Sequence, residues 1–106
     1  MDSKTNITQL KEEVRKFCED RDWDQFHGAK DLAIGIITEA AELLEHFRFK
    51  SEKEIEEFFK YEKKKEEVSE ELSDILFFVL RLAQRYNIDL VTEFSKKWTK
   101  MCQSIQ

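Results

Sequence analysis

Apolar residues recur every three or four positions along most of the chain, which is the spacing of helices with one buried face. The first such stretch follows Asn6, a favourable N-cap residue, with Gln9 at the reciprocal position of a capping box. This pattern predicts a helix from Ile7 to about Asp22. A second helix is predicted from about Ala29 to Phe49, and its apolar stripe consists of Leu32, Ile36, Ala40, Leu43 and Phe47.

The middle of the chain predicts a short helix followed by a long one. Ser51 and Glu54 form a second capping-box signature, and apolar residues on one face follow it. Neither glycine nor proline separates this segment from the next. We place a break near Tyr61 and a long helix from about Lys63 to Tyr86.

The last predicted helix begins after two residues that favour a helix boundary. Asn87 is suited to a left-handed terminator, and Asp89 is suited to an N-cap. The apolar face that follows consists of Leu90, Phe94, Trp98, Met101 and Ile105. The segment from Trp23 to Gly28 lacks a sustained period and reads as an ordered, aromatic-rich loop. These elements predict an all-α, four-helix bundle with a short inserted helix, in a single domain over residues 1–106.

Composition agrees with a helical protein and limits the classes of partner that it can bind. Proline is absent and glycine occurs twice, so the strongest helix breakers are nearly missing. The net charge of −5 gives no electrostatic footprint for binding a nucleic acid polymer. Cys18 and Cys102 lack the spacing of a zinc site or disulfide framework, and we expect reduced thiols. Without a signal core or a bilayer-spanning stretch, we expect a cytoplasmic protein that does not bind membranes.

Two pairs of acidic residues are the candidate functional groups. Glu39 and Glu42 lie on the second helix, and Glu71 and Asp74 lie on the long helix. In each pair the side chains are about 60° apart on the helix surface and face the same way. Spacing alone is weak evidence, because 23 acidic residues in 106 give about five such pairs by chance, mostly on solvated faces.

The apolar surroundings of these acids favour a metal site. Glu39 lies at the edge of the apolar stripe, and Glu71 and Asp74 begin a nearly continuous apolar stretch over residues 75–83. Like charges facing a bundle interior are costly unless they are protonated or meet a cation. Carboxylate ligands favour Mg²⁺ or Mn²⁺. A ferritin-like di-iron centre is disfavoured, since no histidine follows a glutamate by three positions.

The two acidic motifs in their context resemble the MazG-like all-α NTP pyrophosphohydrolases. The first motif reads Ile-Thr-Glu-Ala-Ala-Glu-Leu-Leu-Glu and the second reads Glu-Glu-Leu-Ser-Asp-Ile-Leu-Phe-Phe, with 28 residues between Glu42 and Glu71. The segment Arg-Asp-Trp-Asp-Gln-Phe-His at residues 21–27 is similar to the dCTP pyrophosphatase-like branch, as is Asn-Ile-Asp-Leu at residues 87–90.

The resemblance implies an activity and a set of site residues. It implies that Mg²⁺ is held by Glu39, Glu42, Glu71 and Asp74, and that a (d)NTP such as dCTP is hydrolysed to the monophosphate and pyrophosphate in nucleotide-pool house-cleaning. It also implies a homo-oligomer, either dimer or tetramer. Contacts to base and sugar are implied for Trp23, Gln25, His27, Phe49 and Phe78. For the two phenylalanines, an ordinary core position is the alternative.

Two departures from the family pattern concern the phosphate contacts. Where relatives tend to have an arginine after the loop, this chain has Lys30, a point charge instead of a planar fork. Near the carboxyl end Lys96 is followed by Lys100 where the family has asparagine, and the Tyr-Pro that follows in the family is missing. We assign Lys30 and Lys96 to substrate binding, with ordinary solvated lysines as the alternative.

Three hypotheses follow for mechanism, assembly and a rival function. Glu39 or Glu42 is expected to position the attacking water. An oligomer interface is expected at Leu76, Phe77 and Leu80, because one thin bundle cannot bury them all. The rival is a non-catalytic helical interaction module or nucleotide sensor, whose acidic stripe faces solvent or a basic partner.

Overall fold

The chain forms five α-helices over the part that the structure describes. This computed structural model describes the backbone of residues 1–105 and the side chains of residues 1–103. In chain order the helices are α1 (Ile7–Asp20), α2 (Ala29–Glu45), α3 (Glu52–Phe58), α4 (Glu62–Arg85) and α5 (Leu90–Ile105). A 3₁₀ turn at Asp24–Phe26 lies between α1 and α2. The all-α fold class is confirmed, and the apolar position assigned to Ile105 lies outside the described side chains.

Both predicted capping boxes are present. The Gln9 amide donates to Oδ1 of Asn6 and the Asn6 amide donates to Oε1 of Gln9, each at 2.8 Å. Ser51 and Glu54 make the same reciprocal pair at the start of α3, at 3.2 and 3.1 Å. Each box satisfies two backbone amides that a helix N-terminus would otherwise leave unpaired.

The connection between α4 and α5 also follows the sequence prediction. Asn87 has a φ of 54°, and the next amide, that of Ile88, donates to the Ala83 carbonyl at 2.8 Å, which closes a Schellman turn. Asp89 caps α5, because its Oδ1 accepts the amide of Thr92 at 3.0 Å. The break before α4 lies at Tyr61, whose backbone is extended.

The predicted end of α2 was wrong by one turn. The helix ends at Glu45, and the chain then turns to Phe49, which has a φ of 66°. The rings of Phe47 and Phe58 meet at 5.7 Å. This tertiary contact brings α3 back against the end of α2, and it replaces the last helical turn that the local pattern predicted. The predicted end of α1 was also late, because the helix stops at Asp20.

The core lies between α4 and its two neighbours, α1 and α2. A buried cluster of Val14, Cys18 and Leu80 joins α1 to α4, and Phe77 packs against it. The interface hypothesis is therefore wrong for Leu80 and stays a prediction for Leu76 and Phe77. Leu80 is 3% exposed, Phe77 is partly buried against the core, and Leu76 is exposed.

The apolar face of α5 is largely uncovered within one chain. Leu90 contacts the core, while Phe94 is 72% exposed and Trp98 is 58% exposed. On α2, Ile34 and Ile37 are also exposed. Burying such residues stabilises a protein by about 1.5–3 kcal/mol each, so these faces favour association. None of the described helices combines the length and the apolar character that a membrane span requires.

Candidate functional site

Carboxylates of α2 and α4 meet where the two helices pack together. Glu39 and Glu42 are one turn apart on α2, and Glu71 faces them from α4. One oxygen from each of these three side chains lies within 4.8 Å of the other two. Asp74, one turn after Glu71, is outside this group of three, but its charge acts on Glu39. The structure thus brings together residues that are 32 positions apart in the sequence.

Two of the four acids are sheltered and two are exposed. Glu39 and Glu71 are half-buried, whereas Glu42 and Asp74 face solvent, so the prediction that all four border the interior holds for one member of each pair. Among the described side chains, Oε2 of Glu39 and Oε2 of Glu71 are buried without a hydrogen-bond partner. Buried carboxylate oxygens are normally paired, which makes these two atoms exceptional.

The electrostatics of the cluster are those of crowded like charges. The pKa of Glu39 is raised from 4.5 to about 7, first because burial removes water from the carboxylate and then because Glu42, Asp74 and Glu71 lie near it. A divalent cation placed between the carboxylates would supply the missing partner for the buried oxygens and relieve the repulsion. The donor set therefore fits a hard divalent metal. His46 lies beside it, with Nε2 at 3.7 Å from Oε1 of Glu71.

An aromatic ring lies close to the acids on α4. Phe78 is one helical turn beyond Asp74 and is half-buried. Its ring lies directly on the backbone of Gly35, where an added Cβ would come within 2.6 Å of the ring. Gly35 is one turn before Glu39 on α2. The small residue allows the ring to approach α2 beside the carboxylates.

The predicted substrate loop is ordered and folded against α4. Trp23 is half-buried and its ring meets that of Phe17 at 5.3 Å and that of His27 at 5.6 Å. Gln25 is exposed, and its amide donates at 3.2 Å to the Asp22 carbonyl and to Oδ2 of Asp22. Gln25 therefore helps to hold the loop in shape, in addition to any contact with a ligand.

The sequence analysis missed the group that holds this loop. Arg81 on α4 is fully buried, donates from Nε to Nδ1 of His27 at 3.0 Å, and forms an ion pair with Asp24. Its third partner is Oε1 of Gln84, at 2.6 Å. The signal was available, because Arg81 is a charged residue inside an apolar stretch and must have partners there.

Three of the predicted binding residues lie on other parts of the chain. Lys30 is exposed near the start of α2, and Phe49 is 93% exposed at the turn after α2. Lys96 lies on α5, where Nζ is 3.4 Å from Oε1 of Glu93 on the same helix. Their assignment to a binding site stays a prediction.

Comparison with known proteins identifies the family of this chain. The MazG-like family model matches residues 34–106, which include both acidic pairs and Phe78. "dCTP pyrophosphatase 1" from Rattus norvegicus is 36% identical, and the match covers 74% of this chain and 49% of the relative. The protein of the same name from Homo sapiens is 34% identical with the same two shares. The chain thus spans about half the length of the curated relatives it matches.

A solved structure extends the agreement to the fold. The crystal structure of a pyrophosphatase from Archaeoglobus fulgidus superposes with a TM-score of 0.85 and 32% sequence identity, and the match covers 92% of this chain and 90% of that one. The sequence matches and the structural match point to the same family. The chain belongs to the MazG-like family, in the branch that resembles the dCTP pyrophosphatases.

Proposed function

We propose that this protein is a Mg²⁺-dependent nucleoside triphosphate pyrophosphohydrolase, which converts a (d)NTP and water into the monophosphate and pyrophosphate. The observation that carries the proposal is the convergence of Glu39, Glu42 and Glu71, two of them with buried oxygens that have no partner. The names of the relatives, which are pyrophosphatases, support the reaction type.

The four carboxylates would bind the metal, and one of them would also orient the attacking water. Glu39, Glu42, Glu71 and Asp74 would hold Mg²⁺, and Mn²⁺ fits the same oxygen donors. When bound, the metal would neutralise the triphosphate and polarise its α-phosphorus. Glu39 or Glu42 would orient the water that attacks this atom, since one oxygen of each lies within 4.8 Å of the other. The bond that breaks joins the α-phosphorus to the oxygen that bridges it to the β-phosphorus.

The nucleoside would lie along α4 beyond the acids. From Asp74 to Arg81 the helix rises about 10 Å, comparable to the reach from an α-phosphate to the far edge of a base. Phe78 lies between these two positions and offers a ring for stacking, and the loop with Trp23 and His27 lies at the far end. The relatives' names favour dCTP among the substrates.

The remaining assignments concern phosphate and base contacts outside this stripe. We assign Lys30 and Lys96 to the phosphates, because each is an exposed cation. Gln25 and Phe49 are assigned to the sugar and base. An aromatic side chain held exposed at positive φ is strained, and such strain is typical of a residue that meets a ligand.

The protein is also proposed to act as a homo-oligomer, either dimer or tetramer. The proposal is supported by exposed apolar side chains on α5 and α2, among them Phe94, Trp98 and Ile37, because such faces favour association. A second copy that covers α5 would also complete a four-helix bundle around α4. Sedimentation at micromolar concentration should give a mass above 12.8 kDa, and a monomer would contradict the assembly.

The test of the activity is a product assay. The eight common nucleoside triphosphates should be incubated with Mg²⁺, and monophosphate and pyrophosphate should be quantified separately. Glu71→Gln is expected to abolish release of pyrophosphate and to leave helicity unchanged. Glu70→Gln is the matched control, because Glu70 is next to Glu71 in the sequence but its side chain is exposed. Full activity in Glu71→Gln would refute the site. Thermal stabilisation by nucleotide without formation of products would indicate a sensor. The absence of both stabilisation and products would indicate an interaction module.

A further inference from the structure

The guanidinium of Arg81 is buried, and the proposed mechanism assigns it no role. Arg81 is 0% exposed, whereas arginine is rarely buried to this extent. Burying an unpaired cation is very costly, so its partners must satisfy it. Those partners are Asp24 and His27 from the loop and Gln84 from its own helix.

The direction of one hydrogen bond fixes the state of the imidazole. Arginine has donors and no acceptor, so the 3.0 Å contact from Nε makes Nδ1 of His27 an acceptor that carries no proton. The neutral ring then carries its proton on Nε2. Burial, followed by the charges of Arg81 and Arg85, lowers the pKa of His27 and keeps the ring neutral.

A second guanidinium holds the same loop by its backbone. Arg85, one turn after Arg81, donates at 3.4 Å to the carbonyls of His27 and Asp24, and its Nη1 lies 3.7 Å from Oδ2 of Asp24. Because both guanidiniums belong to α4, these contacts hold the loop at one position along that helix.

That face of α4 also carries the proposed metal ligands. Glu71, Asp74, Phe78, Arg81 and Arg85 follow one another at alternating spacings of three and four, so they form one stripe. The carboxylates lie at one end, the aromatic ring lies in the middle, and the loop is held at the other end. One helix therefore sets the distance between the proposed metal site and His27.

We propose that Arg81 is a positioning residue for substrate recognition. It holds the loop against α4 and fixes His27 as the tautomer whose Nε2–H can donate to an acceptor on the nucleotide, either a base carbonyl or a sugar or phosphate oxygen. This inference rests on the proposed function. It goes beyond that function by assigning the recognition geometry to a residue that need not touch the substrate.

The first test uses the unaltered protein. Nitrogen chemical shifts of the His27 ring, measured by NMR on histidine-labelled protein near neutral pH, distinguish a protonated from an unprotonated Nδ1. The expected result is a single neutral form with an unprotonated Nδ1. A ring that exchanges between tautomers, or that carries its proton on Nδ1, would overturn the inference.

The second test separates positioning from general stability. Arg81→Met keeps an apolar side chain of similar length and should raise KM by about tenfold or more with little change in kcat, because the loop moves while the carboxylates stay in place. Arg15→Met, which removes a cation bound to Glu12 and Glu19 on the surface of α1, is the control and should leave KM unchanged.

A double-mutant cycle shows whether Arg81 acts through His27. The effects of Arg81→Met and His27→Ala on kcat/KM should be clearly less than additive when combined, since the first change already removes what the second would remove. Additive effects would overturn the inference. If Arg81→Met does not fold, the same cycle with Arg81→Lys, which retains the charge and loses the fork, gives the answer.

The failure of this inference differs from the failure of the proposed function. Turnover by the unaltered protein, with unchanged KM in the Arg81 variant, would overturn the positioning role alone. Absence of turnover by the unaltered protein on every triphosphate would overturn the proposed function and the inference with it.

Discussion

Replacing Glu39 by glutamine should make the metal-free protein more stable and should weaken its stabilisation by metal. The pKa of Glu39 is about 7 in the folded chain, compared with an ordinary value of 4.5. Folding therefore takes up a proton between these pH values, and the stability of the unaltered protein falls as the pH rises through this window. Above pH 7 the free energy of unfolding has fallen by about 3 kcal/mol, at 1.36 kcal/mol for each unit of pKa.

Glutamine removes this cost because it carries no charge at any pH. Its amide can also donate to the oxygens of Glu42 and Glu71, which lie within 4.8 Å of the Glu39 position. In EDTA at about pH 8, Glu39→Gln should exceed the unaltered protein by up to about 3 kcal/mol in free energy of unfolding. Near pH 4.5 the difference should nearly vanish, since Glu39 is then protonated in the folded protein.

The assay is urea unfolding at one fixed protein concentration, with EDTA and with millimolar Mg²⁺. Metal at 100 times its dissociation constant should stabilise the unaltered protein by about 2.7 kcal/mol and should stabilise Glu39→Gln far less. Glu70→Gln is the control and should stay within about 0.5 kcal/mol of the unaltered protein. A Glu39→Gln variant that is no more stable in EDTA at about pH 8, or that gains as much from Mg²⁺, would refute the electrostatic reasoning.

Three further predictions test other parts of the structure. Gly35→Ala should cost about 1–3 kcal/mol and raise KM, since the new methyl group displaces the Phe78 ring; unchanged unfolding and kinetics would contradict this packing. Cys18, fully buried with a pKa raised by burial, should resist iodoacetamide until the protein is unfolded in urea, as mass spectrometry can show; rapid labelling of native protein would refute its burial. Arg81 lowers the pKa of Asp24, so the unaltered protein should have a higher free energy of unfolding than Asp24→Asn above pH 3.8 and should lose this difference as the pH falls below that value; a difference that grows on acidification would contradict the ion pair.

The parts of the fold that could be predicted from the sequence depend on local chemistry. Asn6 and Ser51 cap helices because a side-chain oxygen can reach an amide three residues later, whatever the rest of the chain does. Asn87 tolerates a left-handed backbone for an equally local reason. The two acidic pairs could be placed on helix faces by the same short-range geometry.

The parts that could not be predicted depend on contacts between distant residues. Nothing near Glu45 ends a helix, and α2 stops there because α3 packs back through Phe47 and Phe58. The burial of Arg81 required a partner, yet Asp24 is 57 positions away and only the folded chain brings them together. Arg81 was not predicted from the sequence, and its place in an apolar stretch could have shown that it needs a partner but not which residue supplies one.

The central claim, that carboxylates from α2 and α4 share one divalent cation, is tested most directly by titration calorimetry with Mn²⁺. The unaltered protein and Glu70→Gln should bind Mn²⁺ with equal affinity, whereas the affinity of Glu71→Gln should be lower by about tenfold or more. Equal Mn²⁺ binding by all three proteins, or its absence from the unaltered protein, would contradict the account.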